Sequence, residues 1–246
     1  MISRRGLLAV PFVAWAAKQT CGTEYLAVNL RNGNRVGQWE ARDRAVSMGS
    51  LLKPFLVVAY GRTHSRFPNL VCRGEADRCW LPHGHGRQDV VMALANSCNF
   101  YFRHVAGELN RAALESVCLS YGLEGPADAI TADELIGLRS GWPQRATAVL
   151  SAFARLAGEG SEPGVQLALA GMKRSAELGT ARGLGLRARA KTGTAPCSHA
   201  PRSEGDGYAA VLYPLDQVRL VLLARQCGNT GAHAAQLAGP IVRKLV

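Results

Sequence analysis

Met48-Gly49-Ser50-Leu51-Leu52-Lys53-Pro54-Phe55 runs on into the apolar stretch Leu56-Val57-Val58-Ala59-Tyr60, the pattern of a tight turn opening a buried helix. Residues three apart share one side of a helix's first turn, so Ser50 and Lys53 set a hydroxyl beside an amine. Gly49 lets the chain turn sharply into the helix, and Pro54 is tolerated because the first N–H groups of a helix have no intrahelical acceptor. An amine takes a serine proton only when it is itself deprotonated, and burial near other cations is what lowers its pKa. Arginine cannot do this. The chain has five lysines (Lys18, Lys53, Lys173, Lys191, Lys244) and otherwise carries positive charge on arginine, so a lysine at 53 reads as chosen for its chemistry. Taken alone, S-x-x-K also describes an N-capping serine and a solvated first-turn lysine.

Two further stretches decide between these readings. Ser97-Cys98-Asn99 lies between two helical runs, and Lys191-Thr192-Gly193-Thr194 lies in a segment that reads as a strand. In this order the three motifs resemble those of penicillin-binding proteins and serine β-lactamases. The flanks resemble penicillin-binding transpeptidase domains in particular: Pro54-Phe55 after the first motif, Ala93-Leu94 before and Phe100-Tyr101-Phe102 after the second. Ala190 and Ala195 around the third, His83-Gly84-His85-Gly86, and the closing Gly228-Asn229-Thr230-Gly231-Ala232-His233-Ala234-Ala235 extend the likeness. It runs from about Glu24 to the C-terminus.

The resemblance implies a site and its roles. Ser50 is the expected nucleophile, Lys53 its base, and Ser97 a relay toward the leaving nitrogen, with Lys191 keeping the site positive. Asn99 would hold the site by its amide and the substrate by a hydrogen bond, and Thr192, Gly193 and Thr194 would form a strand edge for substrate backbone and carboxylate. The backbone N–H groups of Ser50 and Thr194 are the expected oxyanion hole, where one donor is worth about 2.7–4 kcal/mol of barrier. Expected partners are peptidoglycan stem peptides, β-lactam antibiotics as covalent inhibitors, and wall-synthesis proteins. No cofactor is implied.

With 246 residues and 48% hydrophobic content the chain can bury one sizeable core and reads as a single domain over residues 18–246. The net charge of +11 comes from scattered arginines with no basic run interleaved with aromatics, so nucleic acid is not an expected partner. A diffuse positive field suits anionic wall polymers or membrane headgroups. Residues 1–17, with Arg4-Arg5 before Leu7-Leu8 and a small-x-small end at Ala14-Trp15-Ala16, read as a twin-arginine-like export signal. That places the protein outside the cytoplasm. The apolar run is too short for a span, which needs about 20 residues. In an exported chain Cys72 and Cys79 are the expected disulfide pair. A metal reading would combine Cys72, Cys79, His83 and His85, but there is no C-x-x-C knuckle and no metal is assigned. Cys98, Cys118, Cys197 and Cys227 read as core fillers.

The coarse reading gives strands at Glu24–Leu30 and Arg35–Glu40 around an Asn32-Gly33 turn, and at Leu186–Ala195, Gly207–Tyr213 and Gln217–Arg225. Arg62 to Arg87, rich in Pro, Gly, His and Cys, reads as an irregular loop over the active-site face. Helices are expected over Gln88–Asn96, from Asn110 to Tyr121 with Gly122 as stop, over Thr131–Ile136, over Ala146–Ala157 with Pro143 in its first turn, and over Gly231–Val246. The fold class is therefore α+β: a five-stranded antiparallel sheet flanked by helices, with an inserted all-α lobe, as in the serine β-lactamase and transpeptidase families.

Departures from the family pattern bear on function. The chain is too short for the N-terminal pedestal of large penicillin-binding proteins, and its compact motif spacing resembles class D β-lactamases or penicillin-sensor domains. Trp142-Pro143 stands where Thr-Pro is usual, and Ile136-Gly137-Leu138-Arg139 replaces a small, polar run, which touches substrate choice. The first expectation is a serine D,D-transpeptidase or D,D-carboxypeptidase. The alternatives are a β-lactamase, for which no deacylating glutamate or class D surroundings are found, and a non-catalytic penicillin sensor or scaffold.

Overall fold

The structure, a computed structural model, describes residues 22–39, 44–197 and 205–246. The expected export segment lies outside them. In chain order the described elements begin with β1 (Thr23–Asn29), β2 (Arg35–Gln38), β3 (Ala45–Val46), α1 (Lys53–Thr63), β4 (Leu70–Cys72) and β5 (Gly86–Gln88). There follow α2 (Val90–Ala95), α3 (Asn99–Glu108), α4 (Arg111–Tyr121), α5 (Ala132–Leu135), β6 (Gln144–Arg145), α6 (Ala146–Gly158) and α7 (Pro163–Glu177). The chain closes with β7 (Arg189–Ala195), β8 (Asp206–Tyr213), β9 (Leu220–Gln226) and α8 (Gly231–Leu245).

Five of these strands form one antiparallel sheet in the order β2-β1-β9-β8-β7, as the sequence led one to expect. The Asn32-Gly33 turn joins β1 to β2, so the chain's first hairpin sits at one edge and the Lys191 strand at the other. Side chains alternate along a strand, and β8 uses both faces. Tyr208, Ala210 and Leu212 join the large core with Phe55 and Leu56 of α1 and Phe153 of α6, while Ala209 and Val211 pack on Ala234, Ala235, Ala238 and Val242 of α8. The alanine-rich face of α8 lets it lie close to the sheet.

Local signals fix several helix ends. Asn110 accepts from the Ala113 N–H at 3.0 Å, Gly122 terminates α4 in the left-handed region at φ 70°, and Thr131 and Glu134 form a complete capping box. Other expectations are corrected. Pro143 precedes β6 and is outside the first turn of α6. The Arg62–Arg87 segment is not wholly irregular, since β4 and β5 pair across it with Leu70 opposite Gln88. Nothing in the sequence reading foresaw α7, whose Gly164 and Gly171 each lower helix propensity by about 1 kcal/mol. It forms because Val165, Ala168, Met172 and Ala176 recur on one face and are buried against α1, α2 and β7.

A buried ion-pair cluster ties the centre of the sheet together. Arg225 of β9 donates to Glu24 of β1 at 2.8 Å and to Asp206 of β8 at 2.9 Å. Removing one partner of a buried pair costs about 3–5 kcal/mol because the other charges stay buried. Arg225→Met is therefore expected to lower the melting temperature by roughly 10 °C for a domain of this size, measured by thermal scanning beside the wild type.

Candidate active site

Ser50 lies in a 3₁₀ turn, Gly49–Leu52, that runs directly into α1 at Lys53. The sequence reading put it in the α-helix itself. The 3₁₀ geometry serves the same end, since with three residues per turn positions i and i+3 eclipse and Ser50 stays on the side of Lys53. Pro54 falls in the first turn of α1 as anticipated. Ser50 Oγ donates to the Ile136 carbonyl at 3.4 Å, and reaching any other partner requires rotation away from that oxygen.

Two motif segments are held by unusual backbone. At the end of α2 Ser97 adopts φ 52°, a left-handed conformation that costs a non-glycine residue about 1–2 kcal/mol. Its N–H bonds Leu94 O at 3.2 Å, and that of Cys98 bonds Ala93 O at 2.9 Å, closing the helix. Such strain at a polar residue is characteristic of functional positions. Asn99 follows immediately as the first residue of α3. At Gly49, with φ 56°, a Cβ would lie 2.4 Å from the Thr194 carbonyl oxygen and 2.8 Å from its amide nitrogen. A Cβ at Gly193 would lie 2.3 Å from Met48 O. Only glycine permits this approach, which seats the edge strand β7 against the Ser50 turn.

The side chains of the three motifs converge although their residues are far apart in sequence. Lys53, fully buried, donates to Asn99 Oδ1 at 2.8 Å and to Ser97 O at 3.1 Å, and its Nζ lies 3.5 Å from Ser97 Oγ. Lys191, also fully buried, donates from its Nζ to Ser97 Oγ at 2.9 Å and to Thr192 O at 2.6 Å. One hydroxyl thus sits between two amines. Phe102 presents its ring to Lys53 Nζ at 5.1 Å. Burial brings the Lys53 amine down to about 7; Cys98 and Cys79 pull it upward and Arg103 pushes it lower. Lys191 is driven well below the ordinary lysine range by burial and by the charge of Lys53. Among the described residues no carboxylate bonds Lys53, Ser97, Asn99 or Lys191.

The third motif needs one correction. Thr192 is buried and donates its hydroxyl to Thr180 Oγ1 at 2.6 Å, so its hydroxyl is not offered at the strand edge. Thr194 is exposed, and its Oγ1 accepts from the Gly231 N–H at 2.9 Å, leaving its own proton for another acceptor. Thr180, which supports the strand through Thr192, carried no signal in the sequence. The Ile136 segment does lie at the site, through its contact with Ser50. Trp142 does not line it, being buried with Nε1 donating to Glu124 O at 2.7 Å.

The expected Cys72–Cys79 disulfide is not present. Both are free thiols, and with Cys98 they surround Nδ1 of His85. Cys98 was read as a core filler and His83 as the fourth member of a metal set. The fold exchanges them, because Cys98, at the start of α3, brings its Sγ to 3.8 Å from that of Cys79.

No family model and no curated protein matches the sequence. Solved structures do match. Penicillin-binding protein 2 of Pseudomonas aeruginosa, in complex with WCK 5153, superposes with a TM-score of 0.70 at 15% identity, over 88% of this chain and 69% of that one. Penicillin-binding protein 2 of Helicobacter pylori, in complex with MreC, gives 0.76 at 13% identity, over 91% of this chain and 60% of that one. The transpeptidase domain of the FtsI4 D,D-transpeptidase of Legionella pneumophila gives 0.63 at 18%, over 88% and 85%. The chain therefore has the fold of penicillin-binding protein transpeptidase domains, and it spans less than two thirds of the Helicobacter relative.

Proposed function

We propose that this chain is an exported penicillin-binding serine acyltransferase acting on peptidoglycan stem peptides through an acyl-Ser50 intermediate, as a D,D-transpeptidase or D,D-carboxypeptidase. The observation that carries this reading is the buried Lys53–Ser97–Lys191 chain of hydrogen bonds, which begins one 3₁₀ turn after Ser50. The shared fold supports it.

In the proposed reaction the substrate strand adds to the outer edge of β7, with its terminal carboxylate near Lys191 and the free hydroxyl proton of Thr194. Ser50 Oγ attacks the penultimate carbonyl while neutral Lys53 takes its proton. The acceptors around Nζ, Asn99 Oδ1 and Ser97 O, are those an ammonium needs once that proton arrives. The backbone N–H groups of Ser50 and Thr194 take the oxyanion. As the amide C–N bond breaks, the proton moves from Lys53 through Ser97 Oγ to the leaving amine, and the Ser50 ester remains. A second amine or water then releases it. A β-lactam would follow the first half and stop at the ester.

Fluorescent penicillin on a denaturing gel tests the proposal. A band that requires Ser50 and persists for hours, together with release of terminal D-alanine from a stem pentapeptide, is expected. Labelling without any turnover of stem peptide would leave a sensor, and rapid fading with drug hydrolysis would make it a β-lactamase. The base also sets a pH profile. Lys53 is active as the neutral amine and its pKa is lowered to about 7, so the acylation rate should rise with pH and level off above roughly 8. A rate still climbing toward the ordinary lysine value, measured by stopped-flow with a chromogenic cephalosporin, would remove Lys53 from that role.

A further inference from the structure

We propose that Cys72, Cys79, His85 and Cys98 bind one structural Zn²⁺ that clamps the Ser97-Cys98-Asn99 turn to the β4–β5 pair. The four donor atoms lie within 4.8 Å of one another. Cys72 Sγ and Cys79 Sγ stand 3.6 and 3.5 Å from His85 Nδ1, and Cys79 Sγ stands 3.8 Å from Cys98 Sγ. A tetrahedron built with Zn–S of about 2.3 Å and Zn–N of about 2.05 Å has S···S edges of about 3.8 Å and S···N edges of about 3.6 Å. The three separations given match these edges.

The surroundings agree. Cys72, Cys79 and Cys98 are each less than 9% exposed, which gives the closed four-protein-ligand set of a structural site. Thiols are weak hydrogen-bonding groups. Among the described residues the partners of His85 Nδ1 are both sulfurs, and its Nε2 is buried without a partner. A polar ring held in this way is poorly satisfied unless Nδ1 binds a cation, with the imidazole proton then on Nε2. Three sulfurs and one imidazole in tetrahedral array select zinc over magnesium or calcium, which require oxygen. Binding converts three thiols to thiolates and releases three protons, so the loaded centre carries a net charge of −1.

The position gives the ion its consequence. Cys98 is the residue between Ser97 and Asn99, and Ser97 is held at φ 52°. A bond at Cys98 fixes that turn to Cys72 at the end of β4 and to Cys79 beyond it, and so orients the two groups bonded to Lys53. The effect on acylation rests on the proposed function above; the binding of zinc does not.

The test measures metal first. The full chain purified without chelator under reducing conditions is expected to hold one zinc per chain by plasma emission spectrometry, released when a mercurial titrates its thiols. Exchange with Co²⁺ should give intense thiolate charge-transfer absorption and tetrahedral ligand-field bands. Cys72→Ser and His85→Ala should each lower zinc content at least several-fold, while Cys118→Ser, at a buried thiol outside the cluster, keeps it. In the wild type, zinc removal should lower the melting temperature and slow penicillin labelling of Ser50, both recovering when Zn²⁺ is restored. A wild-type chain that takes up neither Zn²⁺ nor Co²⁺, or zinc that persists in the Cys72→Ser, His85→Ala double variant, overturns the site. Labelling equally fast with and without bound zinc overturns the clamp.

Discussion

Lys53→Met will slow the acylation of Ser50 by penicillin about 10²–10⁴-fold while the chain still folds, and Ser50→Ala will abolish it. Methionine keeps most of the buried stem and removes the amine, so what is lost is the base and the donor to Asn99 Oδ1 and Ser97 O. Two buried acceptors are then left without their donor, and a fall in stability of about 1–3 kcal/mol accompanies the change. Lys53→Arg should be as inactive, because a guanidinium does not deprotonate at neutral pH. Labelling time courses with fluorescent penicillin, read beside thermal melts, separate loss of chemistry from loss of fold. A folded Lys53→Met protein that acylates within tenfold of wild type would assign the base elsewhere, with Lys191 the next candidate.

Gly193→Ala is the second large effect expected, and it acts through backbone alone. The added Cβ would sit 2.3 Å from Met48 O and 3.0 Å from Leu51 N, so β7 must withdraw from the Ser50 turn by roughly 1 Å. A displacement of that size at reacting groups costs about 10²-fold in rate. The fold should survive with a loss of about 1–3 kcal/mol, since the neighbouring strand pairing to β8 is intact on the other side. Gly107→Ala is the matched control. It sits on α3 with open space around its Cβ, and it should hold or raise stability and leave acylation unchanged. Acylation by Gly193→Ala at the wild-type rate would show that the contact between the strand and the nucleophile turn is not needed.

Much of the site was visible along the chain because its signals are short. The three-residue spacing of Ser50 and Lys53, the Asn110 cap, the Thr131–Glu134 box, the Gly122 stop and the alternating strands each depend on residues within a few positions of one another. Where the sequence reading failed, the deciding contact was distant. Two glycines hid α7, whose stability comes from burial against α1 and α2. Thr192 faces Thr180 because strand alternation turns it away from Lys191, and only the neighbour on that face reveals what it meets. Cys72 and Cys79 looked like a pair because they are close in sequence. Folding β4 against β5 brings a third thiol, Cys98, to the same imidazole.

What the sequence determined by itself was the order of the three motifs and the class of fold, and it named Lys53, Ser97, Asn99 and Lys191, which the structure brings together, since composition, period and caps act locally. What only the tertiary structure decided was their electrostatic state and their assembly. Ser97 lies between two amines whose residues are 138 positions apart, and Lys53 is brought to about 7 because the closed core leaves it no water. Burial depends on every element packed around a residue, and no window of sequence contains them all.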